Sequence, residues 1–211
     1  MDRISELVER YPLLKGCEKS ILEAYKVLEK CFASGSKLLI AGNGGSCADA
    51  EHIVGELMKG FKNCRVCDSK YKAQLEKVDA IRGKELACKL QAGLPAINLA
   101  NHHALNSAFI NDVENGGVLT YAQQVNVLGN KGDVLLAIST SGNAKNVAYA
   151  SVVAKAKGMK VVGLSGKDGG YLKENADVCI VVPEKETYKI QEYHLPIYHT
   201  LCLMLEEHFF K

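Results

Sequence analysis

The sequence predicts an α/β fold in which a parallel sheet of five strands is flanked by helices on both faces. Two observations support it: five short apolar runs are spread along the chain, and stretches with helical spacing of apolar residues separate them. Strands that alternate with helices build parallel sheets, and right-handed crossovers then give a doubly wound arrangement. We therefore expect one domain over residues 1–211, in which a helical N-terminal segment precedes the sheet.

The elements follow from the periodicity of apolar residues. Residues 4–32 carry apolar side chains at helical spacing and form the N-terminal segment. The predicted strands, each short and apolar as buried parallel strands are, occupy residues 37–41, 94–99, 133–139, 160–164 and 178–182. The clearest helices are predicted at residues 46–61, 143–157 and 188–209.

Residues from about 62 to 91 do not follow this alternation. They are polar and charged, with a helical middle, and they begin near a pair of cysteines, Cys64 and Cys67. We expect an inserted excursion from the core, in the form of a helical hairpin or a lid. A structural zinc site usually needs a second such cysteine pair, so the simplest interpretation is a surface turn with two incidental thiols.

Composition excludes several classes of function. Charged residues make up 24% of the chain, the formal net charge is +2, and basic residues are not clustered, so no nucleic acid partner is expected. No apolar stretch approaches the roughly 20 residues of a membrane-spanning helix, so no membrane partner is expected either. The N-terminus lacks the apolar core of a signal peptide, and a cytoplasmic location with reduced cysteines follows as an expectation.

Two loops rich in Gly, Ser and Thr follow the first and third predicted strands, at residues 42–46 and 139–143. In doubly wound sheets, ligands bind beyond the carboxyl ends of the strands, where the winding reverses. Each loop also precedes a helix, whose free N–H groups and partial positive charge suit a phosphate. One such loop alone would be an ordinary turn with a capping residue at the start of a helix. Two of them predict a phosphate-binding cleft.

Candidates for acid–base chemistry lie on two helices. His52 and Glu56 are four residues apart and share one face of their helix. The last helix carries Gln191, His194 and His199. An imidazole and a carboxylate that face a sugar phosphate could move a proton between adjacent carbons. The residues alone leave an ordinary structural role equally open, for His194 above all, and they do not identify the sugar.

Four motifs resemble a known family. Segment 41–52 (AGNGGSCADAEH), continued by Glu56 and Leu57, is similar to the signature of the phosphoheptose isomerases. Segment 138–143 (ISTSGN) resembles the phosphosugar loop of the wider sugar isomerase (SIS) family, and segments 166–170 and 190–194 match as well. The resemblance covers nearly the whole chain apart from residues 62–91.

The resemblance implies an isomerase that interconverts sedoheptulose 7-phosphate and D-glycero-D-manno-heptose 7-phosphate by proton transfer through an enediol. The family's catalytic pair corresponds to Glu56 and His199. Its contacts to the sugar phosphate substrate correspond to Asn43, Gly44, Gly45, Ser46, Asp112, Ser139, Thr140, Ser141 and Gln191.

Some family members bind zinc, and the matching ligands here are His52, Glu56, Gln191 and His199. Gln191 and His199 are eight residues apart, about 12 Å along a helix, so one helix does not readily aim both at one ion. Family members are tetramers with sites between subunits, and a homotetramer with composite sites is therefore expected.

Three departures from the family pattern bear on the choice of sugar. Ala144 replaces a common hydroxyl, Gly60 stands where some members have Arg, and segment 62–91 is longer than in compact members. Two alternatives therefore remain. One is an SIS isomerase or sensor for another sugar phosphate. The other is a non-catalytic SIS protein that associates with a replication initiator, although Glu56 and His199 argue against it.

Overall fold

A computed structural model describes residues 2–210, and these contain the predicted five-stranded parallel sheet. The strands are β1 (Leu38–Ala41), β2 (Ala96–Asn98), β3 (Val134–Ile138), β4 (Lys160–Ser165) and β5 (Val178–Val181). Their order across the sheet is β2-β1-β3-β4-β5, and every neighbouring pair is parallel. All five strand predictions are confirmed to within two residues at each end.

The helices surround this sheet. They are α1 (Arg3–Arg10), α2 (Glu18–Ala33), α3 (Gly45–Met58), α4 (Ser69–Val78), α5 (Arg82–Lys89), α6 (His103–Asp112), α7 (Gly116–Leu128), α8 (Lys145–Ala156), α9 (Gly170–Asn175) and α10 (Thr187–Phe209). The N-terminal segment is helical, as predicted, but not continuous. Tyr11 leaves the helical region because Pro12 follows it, and a 3-10 turn at Pro12–Cys17 connects α1 to α2.

The sheet separates two apolar layers, because side chains alternate between the faces of a strand. Leu38 and Ile40 of β1 point into a layer that α2, α3 and α10 cover. Leu39 and Ala41 of the same strand point into the opposite layer, which α7, α8 and α9 cover. Helices on both faces of a parallel sheet confirm the doubly wound fold.

The winding reverses between β1 and β3. From β1 the chain crosses to β2 through α3 on the first face, whereas from β3 it crosses to β4 through α8 on the second face. Because β1 and β3 are neighbours, their connections leave in opposite directions. A crevice therefore opens at the carboxyl ends of these two strands, as expected where the winding of such a sheet reverses.

A fully buried ion pair ties α10 to the chain that follows α3. Arg65 and Glu206 have no exposed side-chain surface, and Arg65 Nε lies 2.8 Å from Glu206 Oε1. The carboxylate also accepts from the backbone N–H groups of Phe61, Lys62 and Asn63. Burial would raise the pKa of Glu206, but these four donors outweigh it and lower that pKa. The guanidinium in turn donates to the carbonyls of Leu57 and Glu56, which belong to α3.

The predicted excursion is a helical hairpin, but it begins later than residue 62. Residues 61–65 are held to the core by Glu206, and a backbone bridge between Val66 and Gln91 closes the base of the excursion. Beyond that bridge, α4 and α5 pack on each other and are largely exposed. Cys64 and Cys67 are both free thiols. Among residues 2–210, no helix combines the length and the apolar character that crossing a bilayer requires.

We predict that the buried ion pair is essential to stability. Removing one member of a buried pair leaves the other charge uncompensated, which costs about 3–5 kcal/mol. Arg65→Met and Glu206→Gln should therefore each lower the free energy of unfolding in urea by about that amount. The exposed pair Glu85–Lys89 on α5 supplies the control, because Glu85→Gln should change it by less than about 1 kcal/mol. Equal effects of the buried and exposed changes would contradict the assignment.

Candidate functional site

The first loop, after β1, brings backbone close to the start of α3. Gly44 adopts φ 55°, a conformation that favours glycine. A Cβ on Gly42 would lie 2.6 Å from the carbonyl oxygen of Ser46, so this position too requires glycine. The hydroxyl of Tyr121, from α7 on the opposite face, donates to the Gly42 carbonyl at 2.6 Å. The loop is therefore fixed from both sides of the sheet.

The second loop, after β3, is held by the motif at residues 166–170. Gly142 adopts φ 69°, and a Cβ there would lie 1.9 Å from the carbonyl oxygen of Gly169. The side-chain oxygen of Asn143 accepts from the backbone N–H of Tyr171 at 2.9 Å. Residues 166–170 thus pack against the second loop, and they are not among the residues that line the cleft.

The two loops meet in a cleft of about 360 Å³. Asn43 and Asn146 exchange two amide hydrogen bonds of 2.9 and 2.8 Å across it, which fixes the distance between the loops. Eight of the predicted substrate-binding residues line this cleft: Asn43, Gly44, Gly45, Ser46, Ser139, Thr140, Ser141 and Gln191. Thr187, at the start of α10, also lines it and was not predicted.

The N-cap residues of the two helices that begin at the cleft, Gly44 before α3 and Ala144 before α8, provide no capping side chain. Part of each first turn is satisfied locally, because the side chain of Asn146 accepts from the N–H of Val147 and loop carbonyls accept from those of Ser46 and Cys47. The leading N–H groups of the two helices, at Gly45 and Lys145, have no acceptor among the described residues, and the partial positive charge there favours an anion. No lysine or arginine is among the residues that line the cleft. Hydroxyls and backbone N–H groups are therefore its main hydrogen-bond donors.

Gln191 closes one side of the cleft. Its side chain lies so near the first loop that a Cβ on Gly45 would be 2.5 Å from Gln191 Nε2. The absence of a side chain at Gly45 thus allows α10 to reach the loop.

A second group of side chains forms further along α10. His52 Nε2 lies 3.2 Å from Glu56 Oε1 and 3.5 Å from His199 Nε2. Lys59 Nζ lies 3.4 Å from the other oxygen of Glu56. We call His52, Glu56 and His199 the acid–base cluster. The first two come from α3 and the third from α10, as their sequence positions predicted.

The surroundings of the cluster favour a neutral imidazole at His199. Burial and the neighbouring His52 lower the pKa of His199 below its ordinary value, although Glu56 opposes them. A neutral imidazole has one N–H to donate and one lone pair to accept a proton. Next to a carboxylate, such a group can take part in proton transfer in either direction.

Sequence reasoning missed two residues behind the cluster. The hydroxyl of Tyr198 lies 3.0 Å from His52 Nδ1 and donates to Asp49 Oδ1 at 3.3 Å. Burial raises the pKa of Asp49 despite this hydrogen bond, and burial together with Asp49 raises the pKa of Tyr198. Their sequence positions could have indicated that both lie near the cluster. Asp49 lies one helical turn before His52, and Tyr198 directly precedes His199.

Two candidates lie outside both groups. Asp112 is exposed at the end of α6, where it accepts from the side chain of Asn111, and it does not line the cleft of its own chain. His194 is wholly buried, with Nε2 3.3 Å from the Ser165 carbonyl oxygen. Burial lowers the pKa of His194 to about 4, so it is neutral at pH 7.

The four candidate zinc ligands are divided between the two groups. Gln191 lies in the cleft, whereas the other three form the acid–base cluster. Ligands of a tetrahedral zinc ion, bound at about 2.0–2.1 Å, lie roughly 3.4 Å from one another, close to the separations within the cluster. As the side chains stand, residues 2–210 contain no group of three or more His, Cys, Asp and Glu arranged to hold a metal ion.

Comparison with known proteins identifies the family. Residues 78–166 match the SIS domain. The phosphoheptose isomerase of a Nitratiruptor species is 37% identical over 215 aligned residues, which cover 93% of this chain and all of that protein.

Solved structures agree. The chain superposes on a phosphoheptose isomerase from Francisella tularensis with a TM-score of 0.76 and 29% identity, covering 96% of this chain and 93% of the other. For the phosphoheptose isomerase of Neisseria gonorrhoeae the TM-score is 0.72 at 29% identity, with coverage of 97% and 92%. Together with the cleft and the acid–base cluster, these similarities show that the chain belongs to the phosphoheptose isomerase family.

Proposed function

We propose that the protein interconverts sedoheptulose 7-phosphate and D-glycero-D-manno-heptose 7-phosphate by proton transfer through an enediol. The observation that carries the proposal is that α10 links two distinct groups. Gln191 faces a cleft suited to an anion, and His199, eight residues further on, belongs to a cluster suited to proton transfer. Family membership supports the same reaction class.

The cleft is the phosphate site of this proposal. The first turns of α3 and α8 and the hydroxyls of Ser46, Ser139 and Ser141 surround one space. A phosphate there accepts hydrogen bonds from both helix ends, which replaces the missing basic side chains.

The distance between the two groups favours a long sugar. Eight residues of helix separate Gln191 from His199, about 12 Å along the axis. An extended chain advances roughly 1.2 Å per bond, so the seven bonds from C2 of a heptulose 7-phosphate to phosphorus span roughly 8 Å. The three bonds in a triose phosphate span roughly 4 Å. With side chains reaching in from both ends, the longer substrate spans more of the separation between the two groups, which favours it over the shorter one.

Glu56 and His199 are the proposed acid–base pair. One of them removes the proton from the carbon next to the carbonyl, and the other supplies a proton to the carbonyl oxygen, which gives the enediol. In the second half, the former carbonyl carbon gains a proton and the hydroxyl on the first carbon loses its own, which forms the new carbonyl and completes the exchange. The separations within the cluster support one shared proton path, because His52 contacts both Glu56 and His199.

Zinc is part of the proposal, with His52, Glu56 and His199 as its ligands and Gln191 as a further candidate. Two imidazoles and a carboxylate are a common ligand set of catalytic zinc sites, and His52 lies within 3.5 Å of both Glu56 and His199. When bound, such an ion would polarise the sugar carbonyl as a Lewis acid. Movement of Gln191 or a contribution from a second copy would complete its coordination.

We also propose a homotetramer with composite sites. Helix α6 contains no buried residue, and its Leu105 and Ile110 are 44% and 53% exposed. Asp112 lies at the end of this helix, away from the cleft of its own chain. A second copy that covers the apolar side chains of α6 would receive Asp112 at its own site.

The function is tested directly with a panel of ketose phosphates of three to seven carbons, read by proton NMR for the aldose product. We expect turnover of sedoheptulose 7-phosphate above all others. Turnover of a shorter sugar phosphate instead would favour the alternative isomerase, and binding without turnover of any sugar would favour a sensor or binding protein.

The acid–base assignment predicts large losses of turnover. Glu56→Gln and His199→Ala should each lower kcat at least about a hundredfold, the usual contribution of a positioned acid or base, and leave the fold intact. Glu51→Gln is the matched control, because Glu51 is an exposed carboxylate on the same helix. A kcat within a few-fold of the native value in either variant would remove that residue from the mechanism.

The phosphate assignment predicts a selective loss of affinity. Ser141→Ala removes a hydrogen bond to a charged group, worth roughly 1.5–3 kcal/mol, and should weaken binding of the phosphorylated sugar accordingly. Ser69→Ala, on the exposed helix α4, should leave it unchanged. Calorimetric titration measures both. If native protein bound the dephosphorylated sugar equally well, the cleft would not be a phosphate site.

The zinc proposal predicts a metal that can be removed with loss of activity. Exhaustive chelation should abolish turnover, and added zinc should restore it. His52→Gln should lower zinc affinity at least about tenfold, whereas His208→Gln, beside Glu29 and outside the cluster, should not. Full activity of chelated protein that elemental analysis finds free of metal would exclude a role for zinc.

The assembly proposal predicts complementation between two inactive variants. Asp112→Asn and Glu56→Gln should each be inactive alone. If Asp112 acts on a neighbouring copy, randomly mixed oligomers regain about a quarter of native activity, because one site in four then has both native residues. No recovery in mixed oligomers, or an active monomer by light scattering, would contradict the composite site.

A further inference from the structure

Three side chains form a hydrogen-bonded chain behind the acid–base cluster. The Tyr198 hydroxyl lies between His52 Nδ1, at 3.0 Å, and Asp49 Oδ1, at 3.3 Å. Tyr198 is 2% exposed, and the second oxygen of Asp49 is buried without a hydrogen-bond partner among the described residues. The buried Tyr198 hydroxyl contacts both of the others, so its own proton constrains where the proton of His52 lies.

The hydrogen bonds along this chain indicate the tautomer of His52. The hydroxyl of Tyr198 has a single proton and donates it to Asp49 Oδ1. The Tyr198 oxygen then accepts a hydrogen bond, and its neighbour on the other side is His52 Nδ1. In this arrangement the imidazole carries its proton on Nδ1, and Nε2 presents its lone pair to Glu56 and His199.

The alternative tautomer would occupy Glu56 in an internal hydrogen bond. With its proton on Nε2, His52 would donate to Glu56 Oε1 at 3.2 Å, and the carboxylate would be engaged in an internal hydrogen bond. Nothing on the open side of His52 prevents this, since the imidazole is 42% exposed there. The buried hydroxyl of Tyr198 is the group that opposes it.

We propose that Tyr198, oriented by Asp49, is a positioning residue that keeps the proton of His52 on Nδ1 and its lone pair on Nε2 directed into the acid–base cluster. This inference rests on the proposed function in one respect: in the isomerase, the lone pair on Nε2 would bind a cation or accept a proton. Histidines that bind metals commonly donate their other ring N–H to an oxygen in this way, which orients the ring and fixes the tautomer.

The test reads the tautomer directly in metal-free protein. Protein labelled with ¹⁵N at histidine is studied by long-range ¹H–¹⁵N NMR at about pH 8, above the ordinary histidine pKa of about 6.5. The spectrum of His52→Gln identifies the signals of His52. We expect native His52 to carry its proton on Nδ1 and Tyr198→Phe to move it, wholly or in part, to Nε2.

Tyr193→Phe is the matched control, because Tyr193 lies on the same helix and its hydroxyl has no hydrogen bond among the described residues. It should leave the His52 signals unchanged. Native His52 with its proton on Nε2, or an unchanged tautomer in Tyr198→Phe, would overturn the proposal. Equal changes in both tyrosine variants would overturn it too, since they would indicate a general loss of packing.

A second readout uses zinc alone, in competition with a chelator of known affinity. Tyr198→Phe should weaken zinc binding by about 10–100-fold, the usual effect of removing a group that orients a metal ligand, and Tyr193→Phe should not. Zinc affinity equal to native in Tyr198→Phe would overturn the proposal. The tautomer is measured without substrate, so failure to isomerise sedoheptulose 7-phosphate would refute the proposed function and leave this result standing.

Discussion

The site depends on one constraint of topology, the reversal of winding between β1 and β3. Because their connections leave towards opposite faces, no helix of residues 2–210 connects across the space above these neighbouring strands, and both α3 and α8 begin at its edge. Two helix N-termini therefore lie at one crevice as a result of the topology alone. The two hydrogen bonds between Asn43 and Asn146 then tie the first loop to the first turn of α8.

Helix α10 connects this crevice to the acid–base cluster. It runs unbroken for 23 residues, past Pro196, and carries Gln191, His199 and Glu206 in that order. Glu206 is buried against Arg65, which also holds the carbonyl of Glu56. The same ion pair thus fixes the register of α10 against α3. A shift by one turn, about 5.4 Å, would separate His199 from His52 and Gln191 from Gly45 together.

The sequence predicted what depends on local pattern. Runs such as 134–138, buried on both faces, identify the strands, and the two Gly- and Ser-rich loops identify the cleft, because both signals are contained within a few residues. Contacts between distant residues left no such signal. Arg65 reads as part of a polar excursion, and only the fold reveals that Glu206 buries it. Tyr198 directly precedes His199 in the sequence, but its hydrogen bond to Asp49 joins residues 149 positions apart and has no counterpart in the local pattern.

A single chain encloses the acid–base cluster and the cleft only in part. Neither is sealed: Asn43, Gly44 and Gly45 of the cleft are exposed, and in the cluster 42% of the His52 side chain reaches solvent although only 13% of the Glu56 side chain does. An enediol intermediate needs protection from water, because stray protonation and loss of phosphate compete with its return to sugar. In a single chain the acid–base cluster is therefore open on the side of His52. A second copy that supplies Asp112 would close this open side, so assembly and catalysis would be coupled at the cluster rather than at the phosphate.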